Sequence, residues 1–163
     1  MGREDEDVHH ILNPLLIEMD FSNGAYSAEK ALKNLSENKL AEIEKVTLLH
    51  VHEKTAMDLL MRYAAKEQID KEISIEKNRL DEMSGSLTEL GVKRVDVAMS
   101  IGKAAEEIIK TIENIGPSLT VIGAEGTGAT SMCRIGATAL RVAQFASSSV
   151  LIIPTEPADH AAC

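Results

Sequence analysis

Residues 119–131 of the chain read LTVIGAEGTGATS. Three of the first four are apolar and three are β-branched, which is typical of a short buried strand. A glycine-rich loop follows, and an alanine-rich helical pattern then runs from Ala139 to Ala146. Parallel α/β sheets repeat this unit of strand, loop and helix, and they bind ligands beyond the carboxyl ends of their strands. The stretch therefore predicts both a fold class and the place of a site.

The rest of the chain shows the same alternation of short apolar runs and helical spacings. Besides 119–122, four runs predict strands: 15–17, 46–51, 92–99 and 150–153. Helical patterns lie between them and cover approximately 27–40, the middle segment up to Leu90, 105–115 and 139–146. Five strands alternating with four helices predict an α/β fold, a doubly wound parallel sheet with right-handed crossovers.

The middle segment has the clearest helical pattern. Its apolar residues recur at spacings of three, four and seven, at Ile69, Ile73, Leu80, Met83, Leu87 and Leu90. Gly91 follows and suits the left-handed position after a helix end. The start of the helix stays open between Ala56 and Ala64. Because the heptad pattern is short and a strand follows it, we expect core packing rather than a coiled coil.

Composition and charge narrow the function classes. The chain has 163 residues, room for one domain, and its net charge of -9 disfavours nucleic acid and anionic membranes as partners. Aromatic residues make up 2%, too few for base-stacking platforms. The two cysteines form no CxxC motif, and neither a signal peptide nor a transmembrane run is recognisable. We therefore expect a cytoplasmic protein.

Two well-known phosphate-binding motifs do not fit the glycine-rich loop. A dinucleotide fingerprint could start at Gly126 and Gly128, but Ser131 stands where the third glycine belongs. A nucleotide-triphosphatase phosphate loop needs a lysine where Ala129 stands. The sequence therefore predicts neither a dinucleotide enzyme nor a phosphate-loop triphosphatase.

A third motif fits better. Gly123-x2-Gly126-x9-Gly136 has the spacing G-x2-G-x9-G-[ST] that is typical of nucleotide-binding universal stress proteins. Further matches follow in the order of that family: Asp20-Phe21-Ser22 after the first strand, VTLLHVHE at 46–53, GKAAEEI at 102–108 and VLIIP at 150–154. The chain resembles this family over 11–154. We accordingly divide it into a charged extension (1–10), the domain (11–154) and a flexible tail (155–163).

The resemblance implies a Rossmann-like sheet of the adenine nucleotide alpha-hydrolase-like type, with strand order 3-2-1-4-5. It also implies a homodimer paired through the last strand, Val150–Ile153. The ligand would be an adenine nucleotide, ATP or AMP, with Mg²⁺ as an optional companion, and no dedicated catalysis is expected. The family's nucleotide-binding positions fall on Asp20, Val51, Gly123, Gly126, Gly136, Ala137 and Thr138.

The chain departs from the family pattern at several positions, among them Glu18-Met19, which stand before Asp20 where the family often has Pro-Thr. Ala137 stands where Ser or Thr is usual, and Glu125 adds a negative charge to the loop. A lost hydrogen bond to a charged group costs about 1.5–3 kcal/mol, roughly ten- to hundredfold in affinity. This leaves an alternative, a dimeric interaction module of the same fold without nucleotide binding. A small nucleotide hydrolase is least favoured, because no lysine cradle or general base is recognisable.

Other reactive residues have a structural and a functional interpretation. His50 and His52 lie on one face of a predicted strand, at a spacing that metal sites use. No third ligand is evident, so we interpret them as polar residues at a strand end and predict no metal site. Cys133 is interpreted as a packing residue rather than a reactive thiol. Asp20 is the best candidate for a ligand contact, with a turn role as the alternative.

Overall fold

The computed structural model of the protein describes residues 12–21, 43–124 and 135–154. Residues 22–42, between the first two strands, are not described; from the second strand onward strands and helices alternate, except that two helices stand between the second and third strands. Their bounds are β1 Leu15–Glu18, β2 Lys45–Glu53, α1 Lys54–Tyr63, α2 Lys66–Glu89, β3 Arg94–Gly102, α3 Ala104–Ile115, β4 Leu119–Gly123, α4 Ala137–Phe145 and β5 Ser149–Ile153.

The strands form one parallel sheet in the order β3-β2-β1-β4-β5, which confirms the predicted fold. β1 lies at the centre, between β2 and β4. Strand order reverses beside β1, and such a reversal opens a crevice at the carboxyl ends of the strands. Asp20 after β1 and the glycine-rich loop after β4 therefore start at neighbouring points.

Side chains alternate between the two faces of the sheet, and each face has its own core. Leu15 and Ile17 point to one face, and Leu16 points to the other. On the first face α2 covers the sheet with Leu80, Met83 and Leu87. On the second face α3 and α4 pack through Ala105, Ile108, Ile112, Ala139 and Val142. The continuous apolar runs of the sequence reflect this burial from both sides.

The end of α2 shows why Gly91 is needed. Its φ of 100° lies in the left-handed region. The Gly91 N–H donates to the Thr88 carbonyl at 3.0 Å, and the Val92 N–H donates to the Leu87 carbonyl at 3.1 Å. These two bonds form a Schellman motif, which satisfies carbonyl groups that a helix end leaves free. The predicted left-handed glycine is confirmed.

Two predicted boundaries differ from the structure. The middle segment contains two helices, because Ala64 is extended at φ -96° and ψ 148° and separates α1 from α2. β3 begins at Arg94 rather than Val92, since Val92 completes the helix cap. It continues to Gly102 because all nine of its residues pair with β2.

Several predictions concern residues outside the described ranges. They are the helix over 27–40, the loop segment 125–134 with Gly126, Glu125 and Cys133, the extension 1–10 and the tail 155–163. No helix in the described ranges combines the length and apolar character needed to cross a bilayer.

Candidate functional site

A cavity of about 510 Å³ opens at the carboxyl ends of β1, β2 and β4. Ligand pockets usually have volumes of about 300–1,000 Å³. Six of the seven predicted nucleotide-binding residues line it: Asp20, Val51, Gly123, Gly136, Ala137 and Thr138. The seventh, Gly126, lies outside the described residues. The fold thus brings together positions that are more than 100 residues apart in sequence.

The first turn of α4 forms one wall of the cavity. Gly136 is the residue before the helix, and its own N–H donates to the Ala124 carbonyl at 2.6 Å. No side chain caps the helix. The N–H groups of a first helical turn have no partner within the helix and carry a partial positive charge. Ala137 and Thr138 therefore present a wall that attracts anions.

The lining of the cavity is also rich in acidic residues. Five carboxyl groups belong to its lining: Glu18, Asp20, Glu53, Glu72 and Glu76. No lysine or arginine occurs among the lining residues that the structure describes. Without a cation, this surface opposes a highly charged phosphate chain, and it attracts divalent metal ions.

Glu18 is an exception among these acids because it holds a proton. It ends β1 with only 6% of its surface exposed. Burial, with a smaller contribution from the charge of Asp20, raises the pKa of Glu18 to about 8. At neutral pH the side chain is therefore a neutral carboxylic acid beside Asp20.

Glu53 has a structural task. Its Oε1 accepts a hydrogen bond from the Ala104 N–H at 3.2 Å, at the first residue of α3. A carboxylate at a helix N-terminus is stabilising, because it meets the positive end of the helix dipole. Glu53 thereby joins the end of β2 to the start of α3 at the rim of the cavity.

His50 and His52 lie on the face of β2 that α2 covers. The Nδ1–H of His50 donates to the carbonyl oxygen of Met19, and its ring contacts Phe21 with a centroid distance of 4.7 Å. The rings of His50 and His52 are also 4.7 Å apart. Burial lowers the pKa of His52; Glu76 opposes this shift and His50 adds to it. This lowered pKa favours the neutral form of the His52 imidazole.

Glu76 of α2 faces both histidines. Its Oε2 lies 3.3 Å from His52 Nδ1 and 3.7 Å from His50 Nε2. Sequence reasoning missed this carboxylate, although a signal was present. The apolar residues Ile73 and Leu80 are seven apart, and the helical pattern predicts a further apolar residue between them at position 76. The sequence has a glutamate there. A carboxylate at a core-facing position needs a partner on the surface it covers.

Comparison with known proteins gives the family. A model of the universal stress protein family matches residues 14–154. The chain belongs to the universal stress protein family, which confirms the resemblance. Universal stress protein MJ0577 of Methanocaldococcus jannaschii is 26% identical over 154 residues, covering 85% of this chain and 93% of that protein. A solved structure of MJ0577 superimposes with a TM-score of 0.76 at 25% identity, covering 88% of this chain and 96% of the other.

More distant structures share the fold. UspA from Lactobacillus plantarum has a TM-score of 0.70 at 21% identity, covering 85% of this chain and 95% of its own. A universal stress protein from Archaeoglobus fulgidus in complex with dAMP has a TM-score of 0.60 at 17% identity, with 88% and 98% covered. A further universal stress protein structure, in complex with cAMP, has a TM-score of 0.60 at 14% identity, covering 87% of this chain and 97% of that chain.

Proposed function

We propose that the protein binds an adenine nucleotide, ATP or AMP, in the cavity at the ends of β1, β2 and β4, and acts in a stress response without dedicated catalysis. The observation that carries the proposal is the convergence of Asp20, Val51, Gly123, Gly136 and Thr138 on one cavity. They come from the segment just after β1, from β2, from β4 and from the start of α4, and these parts of the chain meet only in the folded protein.

Different lining residues suit the base, the ribose and the phosphate of a nucleotide. Val51 is an aliphatic contact for a base, which matters in a chain with 2% aromatic residues. Asp20 offers carboxylate oxygens to the hydroxyl groups of a ribose. The first turn of α4 offers N–H groups to a phosphate.

The charge of the cavity favours a short phosphate chain. Four acidic residues line it besides the protonated Glu18, and each added phosphate increases the repulsion. The complexes of two relatives with dAMP and cAMP involve nucleotides with a single phosphate. In the absence of divalent metal we expect AMP to bind more tightly than ATP.

Calorimetric titration of AMP, ADP and ATP into extensively dialysed protein tests the proposal. Two matched variants of α4 locate the binding: Thr138→Glu puts a carboxylate into the cavity, and Leu140→Glu puts one on a residue that is 50% exposed. We expect Thr138→Glu to weaken AMP binding at least tenfold and Leu140→Glu to leave it unchanged. No binding of any nucleotide by the unaltered protein at millimolar concentration contradicts the proposal.

A second candidate function has its own support. Ala137 lacks the usual hydroxyl, and the acidic lining lacks a described lysine or arginine. Both features fit a dimeric interaction module of the same fold that no longer binds nucleotide. Such a module predicts no nucleotide in the purified protein and no heat of binding, whereas the first proposal predicts both binding and its loss in Thr138→Glu. Dimerisation through Val150–Ile153 and a cytoplasmic location stay predictions.

A further inference from the structure

We propose that His50, His52 and Glu76 bind a divalent transition-metal ion such as Zn²⁺, at a site within the cavity but separate from the nucleotide contacts. One ligand atom from each of the three residues lies within 4.8 Å of the other two. Two imidazole nitrogens and one carboxylate oxygen form a ligand set that zinc uses when a fourth position stays open. Nitrogen ligands favour zinc, cobalt and nickel over Mg²⁺.

The distances fit a tetrahedral ion with small adjustments. At bond lengths of about 2.0–2.1 Å, tetrahedral ligand atoms are about 3.4 Å apart. Glu76 Oε2 is 3.3 Å from His52 Nδ1 and 3.7 Å from His50 Nε2. All three ligand atoms lie within 4.8 Å of one another, so closing them around one ion requires an adjustment of the side chains.

The hydrogen bond of His50 determines which of its nitrogens can bind the ion. A carbonyl oxygen only accepts, so the Met19 carbonyl requires a proton on Nδ1. In the neutral ring, the lone pair then lies on Nε2, the atom that faces Glu76. Metal-binding histidines almost always donate their other ring N–H in this way, which fixes the tautomer and the ring. Phe21 supports the same ring from one side.

Glu76 gives an independent reason for a cation. Its Oε2 is buried and has no hydrogen-bond partner among the described residues, because its contact with His52 is not aligned as a hydrogen bond. The side chains of His50 and His52 are 7% and 12% exposed. A neutral His50 would point a lone pair at this buried oxygen. A positive ion between the three residues satisfies all of these atoms at once.

The backbone geometry explains why these three residues meet. α2 crosses the sheet with Leu80 in the core that contains Leu48 of β2. Four residues of helix span about 6 Å, and two residues of strand span about 6.6 Å. One turn back along α2 from Leu80 lies Glu76, and two residues forward along β2 from Leu48 lies His50. Because the two steps have nearly the same length, Glu76 lies over His50. All three proposed ligands line the cavity, so a water or a ligand oxygen can take the fourth position.

The test uses the full chain, stripped of metal with a chelator and then dialysed. ZnCl₂ is titrated in competition with a chromophoric chelator, and CoCl₂ is added separately to record the visible spectrum. We expect one equivalent of Zn²⁺, a tetrahedral Co²⁺ absorption that Zn²⁺ removes, and no displacement by millimolar Mg²⁺.

Matched variants locate the metal. His50→Gln, His52→Gln and Glu76→Gln each remove one ligand atom and should weaken Zn²⁺ binding by at least about 100-fold, the upper range for groups that only support a ligand. Glu82→Gln changes an exposed carboxyl group of the same helix as Glu76, outside the cavity lining, and should leave binding unchanged. The double variant His9→Ala/His10→Ala removes the pair of histidines near the start of the sequence and should also leave Zn²⁺ binding unchanged.

Thermal unfolding keeps the test decisive if a variant folds poorly. Zn²⁺ should raise the Tm of the unaltered protein and of Glu82→Gln, but not that of Glu76→Gln, whose side chain has nearly the same shape as glutamate. Absence of Zn²⁺ binding, or equal binding in Glu76→Gln, overturns the proposal. Since the titrations contain no nucleotide, metal binding can succeed or fail independently of nucleotide binding.

Discussion

At the scale of single residues, Glu18 links the cavity to the stability of the fold. In the folded protein its pKa is about 8, against an ordinary value of 4.5. Between these two pH values the unfolded chain has lost the proton and the folded chain keeps it. Folding stability therefore falls as pH rises across this range, by on the order of 1 kcal/mol per pH unit from this group.

Glu18→Gln removes this pH dependence, because glutamine has the shape of the protonated acid and no proton to lose. We expect the variant to be more stable than the unaltered protein near pH 8 and closest to it near pH 4.5. Chemical denaturation at a series of pH values measures the difference. Glu82→Gln, on the exposed side of α2, is the control and should keep the original pH dependence. An unchanged slope in Glu18→Gln would contradict the protonated state.

Ala137 provides a test of the phosphate contact. Ala137→Ser restores a hydroxyl group at the first residue of α4, beside the cavity. A hydrogen bond to a charged group is worth about 1.5–3 kcal/mol, so AMP should bind roughly ten- to hundredfold more tightly. Calorimetry measures the change, with Ala137→Gly as the control that adds no hydroxyl. Equal affinity in Ala137→Ser would show that phosphate does not approach this residue.

At the scale of elements, α2 has a stabilising half and a functional half. Leu80 is fully buried, whereas Ile75 on the same helix is 42% exposed. Leu80→Ala should lower the free energy of unfolding by about 2–5 kcal/mol, because it leaves a cavity in the core. Ile75→Ala should change it by about 0.5 kcal/mol or less. Denaturant titration compares them, and equal losses would mean that the apolar stripe of α2 does not pack as described.

The sequence predicted this helix because its periodicity is a local property. The same periodicity also carried the information about Glu76, as a position without an apolar residue. The partners of Glu76 could not be read from it, since His50 and His52 belong to another element. Their meeting depends on the direction in which α2 crosses β2.

At the scale of the whole molecule, the free edge of β5 is the predicted dimer interface. β5 pairs with β4 on one side, and no described strand pairs with its other side. Cross-linking tests which edge of the sheet contacts a second copy of the chain. The variants also carry Cys133→Ser and Cys163→Ser, which remove the native thiols. Ser149→Cys places a thiol on β5, and Val97→Cys places one on the opposite edge strand, β3.

A flexible bifunctional maleimide should link two copies through Ser149→Cys and not through Val97→Cys. Sedimentation of the unaltered protein at micromolar concentration should give twice the chain mass of 17.6 kDa. A species of single-chain mass, or cross-linking only at Val97→Cys, would contradict the predicted interface.

The sequence by itself determined the α/β class and the positions of the five strands. The strand order of the sheet and six residues of the cavity lining were predicted only through the resemblance to the universal stress protein family. The strand positions follow from short-range patterns, whereas the lining residues follow from matches to that family's motifs, whose described glycines are Gly123 and Gly136. The tertiary structure alone decided that Glu76 stands over His50 and His52, and that Glu18 is buried beside Asp20. Such meetings arise from packing between distant elements, and burial then sets the charge of each group. The place of the cavity was therefore predictable from the sequence and its family resemblance, but its electrostatics and the meeting of His50, His52 and Glu76 were not.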